Sequence, residues 1–534
     1  MLLWISARAA TILGAGALSA AMLVAGPMGR AHPNRLEALD RDETDAPSPA
    51  DTVHARAVLA SARGASPLLC AMAARSLEGW GGGWGGAPVP GDDAVREAAR
   101  WAASERPSSE AAALLAGAVG DADACVRRVA ATLAGRSREP AAVQALRAAL
   151  RAAAAPTRAA AALGLGFARD TGSLAPLATA LEDGAAEVRG AAAWALGAID
   201  DGRAVPALSG ALRDPEAVVR RTAAQALGRI GSQDAVDALA RVLREDADAD
   251  VRAAAAGALG RIEDRRAVAP LGAALRADQS PRVRAAAAWA LGQIEDRSAA
   301  QALVAAAGDT DAAVRETVVW ALGQIEAKEA TPTLARLLRS DPEARVRETA
   351  AWALGQAEDH AAVPALAESV RADADPAVRE TAAWALGQVE DASAATALAA
   401  ALADRVAPVR QRAAWALGQI EPRSAPEPLV AALRDADVDV RSTAAWALGQ
   451  IGDAGAAPGL RGALKDADQS VRRAALWALG QMGDQTARDA MIEALKDPDA
   501  DVRRAAARAL GGNGANPWPR PAPKPRPRPF PPAF

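Results

Sequence analysis

The sequence predicts an all-α protein, an α-solenoid of about fourteen two-helix repeats. Three observations carry that prediction. A Val-Arg dipeptide recurs at Val95, Val126, Val188, Val219, Val251, Val283, Val314, Val346, Val378, Val409, Val440, Val471 and Val502, Thr157-Arg158 fills the one gap, and every interval is 31 or 32 residues. Behind each dipeptide, apolar residues return at helical spacing. The apolar fraction is 51%, dominated by alanine, with 3% aromatic residues and no tyrosine. Such a composition favours helices that approach closely.

The elements follow in chain order. Ala9 to Gly26 is a run of eighteen residues without charge, flanked by Arg8 and Arg30. Its length fits a signal peptide or a membrane anchor, assigned to residues 1–31 with Ala31 closing a small-residue cleavage site. This segment predicts a membrane-anchored or exported protein of the cell envelope, or a cytoplasmic one if the anchor holds the repeats inward. The charges flanking it are nearly balanced and do not decide the side. Residues 32–54 contain Asp40, Asp42, Glu43, Asp45 and three prolines and read as a disordered acidic linker. Residues 55–91 read as a degenerate first repeat with a Gly-rich insert around Trp80 and Trp84, residues 92–512 as the repeat array, and residues 513–534 as a tail. In that tail proline alternates with Arg520, Lys524, Arg526 and Arg528. It reads as an extended, solvated, polyproline-like segment whose cations suit an anionic partner.

Within one unit, Val440, Ala444, Ala447, Leu448 and Ile451 share a helical stripe, Gly452-Asp453 break the helix, and Leu460 and Leu464 begin a second stripe. Asp435, Asp437 and Asp439 are candidates for the helix N-cap. The arginine directly after each valine points to the opposite flank and is read as an inter-repeat partner of turn aspartates. One helix pair cannot bury its stripe alone, whereas stacked pairs share a core and need polar ends. The last copy has Arg508 where others have tryptophan, beside Arg503 and Arg504.

The recurring D-x-x-V-R-x-x-A-A-x-A-L-G-x-I pattern resembles HEAT-like repeats of the phycobilin-lyase type. The resemblance implies a right-handed superhelix and no particular activity. A net charge of −4 argues against a nucleic-acid binder. Cys70 and Cys125 stand nearly two repeats apart and are expected not to meet. His32, His54 and His360 are followed by Pro33, Ala55 and Ala361, so neither an H-E-x-x-H zinc motif nor the paired His-Glu ligands of the HEAT-repeat deoxyhypusine hydroxylases can be built. No catalytic residue, cofactor or metal is expected, and an enzyme-related role (lyase-like, hydroxylase-like, or the sensor part of a membrane peptidase system) is the weaker alternative.

The residues that the core does not require suggest a binding strip. Counted at 100° per residue from each valine, the core stripe centres at about 30°, whereas a tryptophan six residues on falls at about 240° and a glutamine four residues further at about 280°. Seven consecutive units carry the pair, as Trp289/Gln293, Trp320/Gln324, Trp352/Gln356, Trp384/Gln388, Trp415/Gln419, Trp446/Gln450 and Trp477/Gln481. Trp101 and Trp194 occupy the same place without the glutamine. The ladder is similar to the Trp/Asn arrays of armadillo-repeat import receptors. That resemblance implies amides gripping an extended peptide backbone and indoles facing the solvent to sandwich its side chains. Glu316, Glu348 and Glu380 add an acidic centre between Arg221, Arg229 and Arg261 on one side and Arg412, Arg473, Arg504 and Arg508 on the other. The expected partner is a protein or extended peptide with a basic centre, bound by a monomer. The competing expectation is a purely mechanical spacer whose indoles only fill gaps between alanine-rich helices.

Overall fold

A computed structural model describes residues 49–64, 107–483 and 488–511. The segments expected as anchor and tail, and residues 65–91 of the expected first repeat, with Cys70, Trp101 and His32, lie outside the described residues. The chain divides into two compact units, Met1–Ala207 and Leu208–Phe534. Each is a stack of helix pairs, and no strand occurs among the described residues. The fold is the all-α solenoid that the periodicity predicts.

In the first unit the long helices Ala124–Ser137, Ala155–Ala168 and Ala186–Ile199 pack in succession. It opens on a helix, Pro49–Ala62, that starts inside the segment expected to be a disordered linker. Proline in the first position and Asp51 in the first turn both suit a helix start, and Ala55 is fully buried. Cys125 is buried and disulfide-bonded, against the expectation that the two cysteines stay apart.

In the second unit ten long helices run from Ala217–Ile230 to Ala500–Leu510, each against the next, and alternate with short ones such as Val236–Glu245 and Val363–Ala372. The stripe read from the sequence is the core: Val440, Ala444, Ala447 and Leu448 are fully buried, as is Leu460 of the short helix. Of the three candidate caps, Asp437 does the capping, its carboxylate accepting from the backbone N–H of Asp439 and Val440 at 2.9 and 3.2 Å. Asp439 lies in the first helical turn, where a negative charge is favourable.

Asp435 has the other role foreseen for turn aspartates. Arg410 donates to both its oxygens at 2.7 Å, and a further guanidinium nitrogen reaches the Asp404 carbonyl at 2.9 Å. The same bidentate link joins Arg220 to Asp246, Arg252 to Asp278, Arg284 to Asp309, Arg315 to Asp341, Arg347 to Asp373, Arg379 to Asp404, Arg441 to Asp466 and Arg472 to Asp497. Each arginine sits on a long helix and each aspartate in the turn before the next one. The pairs therefore bolt every repeat to its successor. The Arg410 guanidinium holds the Asp435 carboxyl below the usual carboxylate range against the opposing effect of burial, helped by the backbone N–H of Asp437.

Glycine in mid-helix sets how close the long helices come. A Cβ placed on Gly260 would lie 2.7 Å from Ala290 Cα, and one on Gly449 2.8 Å from Ala478 Cα. Only a residue without a side chain allows that approach.

Candidate functional site

The same glycines decide the fate of the indoles. Each leaves a slot on its helix, and the tryptophan of the following repeat lays its six-membered ring edge into it. A Cβ on Gly292, Gly323, Gly355, Gly387, Gly418 or Gly449 would meet the Cζ3 of Trp320, Trp352, Trp384, Trp415, Trp446 or Trp477 at 2.4 to 2.9 Å. These six rings are only 1 to 6% exposed. Trp289 lies likewise against Gly260, and Trp194 in the first unit against Gly166, both half-buried. The expectation of solvent-facing indoles is therefore corrected. A helical wheel fixes the direction of Cβ, but a side chain as long as tryptophan leans along the helix surface into the nearest groove. The Leu-Gly pair in every such helix was the available signal. A mid-helix glycine costs about 1 kcal/mol relative to alanine and recurs only where packing demands it.

The glutamines remain on the surface. Gln293, Gln324, Gln356, Gln388, Gln419 and Gln450 are half-buried and Gln481 is exposed. Among the described residues, the first six amides have no hydrogen-bond partner, so six successive repeats present a free donor and acceptor pair at one level. The indole Nε1 atoms of Trp384, Trp415, Trp446 and Trp477 are buried and also without a partner there. In the helix Ala249–Ile262 the glutamine position is taken by Arg261, whose guanidinium lies 6.0 Å from the Trp289 ring centre. Position ten of one repeat thus lies beside the indole of the next.

Burial pushes the Glu316 carboxyl up, against the pull of Arg345 and with the repulsion of Glu348. Glu348 accepts from Thr381 at 3.4 Å. Glu380 faces Arg412 at 3.6 Å, and Arg412 also lies 5.6 Å from the Trp415 ring centre. On the earlier side Arg221 faces Asp250 at 3.7 Å, and on the later side Arg473 faces Asp501 at 3.5 Å while Arg504 pairs with the same aspartate. Arg508 is exposed, and Gly480, the slot it would have filled as a tryptophan, is half-open. Among the described residues no group of three or more His, Cys, Asp or Glu side chains is placed to hold a metal ion. His360 bonds through Nδ1 to Asp391 of the next repeat at 2.9 Å. Among the described residues no helix is long and apolar enough to cross a membrane.

One feature of the long helices had no counterpart in the sequence reading. Six in succession are followed by a glutamate in the left-handed region, Glu263, Glu295, Glu326, Glu358, Glu390 and Glu421, at φ of 40 to 55°, with Ile325 intervening before Glu326. Glycine takes this place at Gly231, Gly452 and Gly483.

The profile described as HEAT repeats matches residues 147–219, 209–278, 268–355, 332–418, 407–468 and 458–520. The chain belongs to the HEAT-repeat family. Among solved structures, this HEAT-repeat chain is similar to Kap121p (TM-score 0.52, 15% identity, covering 84% of this chain and 57% of that one). It is also similar to Kap121p bound to Ste12p and to the karyopherin Kap121p bound to the SUMO protease Ulp1p (each TM-score 0.51, 16% identity, 84% and 57% coverage). At this identity the likeness is one of fold, and the chain spans a little over half the length of those structures. No curated protein matches it.

Proposed function

We propose that this HEAT-repeat chain is a non-catalytic scaffold that holds an extended polypeptide along the glutamine row of its long helices. The observation that carries this reading is the run of six in-register amides without a partner among the described residues, from Gln293 to Gln450. Long helices about 8–10 Å apart match close to three residues of extended chain. Each amide can therefore meet a backbone N–H and carbonyl at a regular interval. Glu316, Glu348 and Glu380 favour a cation in the middle of the bound segment, and the indoles support the row from below rather than touch the ligand. The solved karyopherin complexes, of like fold, contain bound proteins and are consistent with this use of the architecture. The disulfide at Cys125 supports an oxidising compartment, in line with the apolar run at 9–26.

The test uses random linear peptides displayed on phage and selected on the protein. Peptides that bind through the row should weaken about tenfold or more when Gln356, Gln388 and Gln419 become leucine, since each lost hydrogen bond contributes roughly 0.5–1.5 kcal/mol. Equal binding by that variant would remove the row from the reading. A second reading, a spacer without a ligand, is favoured by the burial of the indoles and predicts that no selected peptide binds saturably.

A further inference from the structure

We infer that the Pro/Arg tail of this same chain, residues 513–534, docks along the glutamine row and shields it from other partners. The inference rests on the proposed binding role of that row and names its resident occupant. Charge and reach argue for it. The tail contains Arg520, Lys524, Arg526 and Arg528 and no acidic residue. The row's acidic stretch sets the carboxylates of Glu316, Glu348 and Glu380 on three successive long helices, with Arg345 drawn to the first and Arg412 3.6 Å from the last.

The last described residue, Gly511, ends the helix Ala500–Leu510. Four helix-to-helix steps lead back to the helix of Glu380 and six to that of Glu316, distances of about 32–40 and 48–60 Å at 8–10 Å per step. A proline-alternating chain extends by about 3.1 Å per residue. That rise puts Arg520 at about 28 Å from Gly511, Lys524 at about 40 Å and Arg528 at about 53 Å. The four cations thus cover the interval that the three carboxylates occupy. A polyproline turn of three residues advances about 9.3 Å, close to one repeat, so its carbonyls meet successive glutamine amides in step. Those amides can donate to carbonyls even where proline offers no N–H.

Lys524 is the tail's only lysine, and a zero-length carbodiimide joins an amine only to a carboxylate in direct contact. In the full chain at low salt we expect a cross-link from Lys524 to Glu348 or Glu380, identified by peptide mapping. It should disappear at high salt, and mixing isotope-labelled with unlabelled chains should show it to lie within one molecule. A complementary measurement uses the labelled peptide 513–534. A full chain whose own tail has Arg520, Lys524, Arg526 and Arg528 replaced by glutamate should bind it at least tenfold tighter than the natural chain does. Adding Glu316→Gln, Glu348→Gln and Glu380→Gln should cancel that gain. Cross-links between molecules only, or equal binding by both chains, would overturn the inference. If the tail-reversed chain binds selected linear peptides through the glutamines but not the 513–534 peptide, the tail inference alone falls.

Discussion

Gly355 and Trp384 show how little freedom a single position has in this array. A Cβ on Gly355 would stand 2.9 Å from the Trp384 ring and 3.0 Å from Ala385 Cα, both held by a packed neighbour. Gly355→Ala should therefore destabilise by about 1–3 kcal/mol despite its better helix propensity, measured by urea denaturation. Trp384→Ala empties the same slot from the other side and should cost about 3–5 kcal/mol. The reverse sign is expected at the helix ends. Glu358 and Glu390 have φ of 47 and 53° and put negative charge at the negative end of a helix. Replacing both by glycine relieves the left-handed backbone and the charge, and should raise the melting temperature, with about 1 kcal/mol gained at each. A fall in melting temperature would mean that the glutamates make compensating contacts.

At the scale of the helix and its turns, the arginine–aspartate bolts make stability depend on pH. Asp435 and Asp497 are held below the ordinary carboxylate range first by Arg410 and Arg472, while burial opposes the shift. A carboxylate depressed in the folded state contributes stability that is fully present above its unfolded value of about 4 and is lost as pH falls through the folded value. Acid titration followed by circular dichroism should thus show a flat response from neutral pH down to about 4 and cooperative loss below it. These bolts were legible in the sequence because Arg and Asp recur at fixed distances from the valine. So was the core stripe, and the helix cap was narrowed to three aspartates of which Asp437 is the one used. The destination of the indoles was not, since the wheel reports where Cβ points and the slot that receives Trp352 is made by Gly323 of the preceding repeat. The left-handed glutamates escaped for a related reason: nothing in the residue type announces a positive φ where glycine is the usual choice.

For the whole molecule, the repeat with its nearest-neighbour interfaces is the unit of stability. Every long helix in the second unit meets its neighbour through the same glycine, alanine and Arg–Asp contacts, so one repeat can be removed if the cut keeps the register. Deleting residues 378–408 takes out one 31-residue period and joins Ala377 to Val409. The new junction brings Gly355 against Trp415 in place of Trp384, while Arg347 keeps Asp373, Arg410 keeps Asp435, and Arg379 leaves together with its partner Asp404, so both devices stay complete. The shortened chain should fold with unchanged helicity per residue by circular dichroism and unfold in one transition. Its peptide affinity should fall, because the row loses Gln388 and the acidic stretch loses Glu380. A deletion half a period out of register, removing 378–393, sets the short helix Ala395–Ala401 where a long one belongs and should abolish the cooperative transition. Should both deletions behave alike, the repeats would not be interchangeable, and the contacts of individual units rather than their shared pattern would be holding the array together.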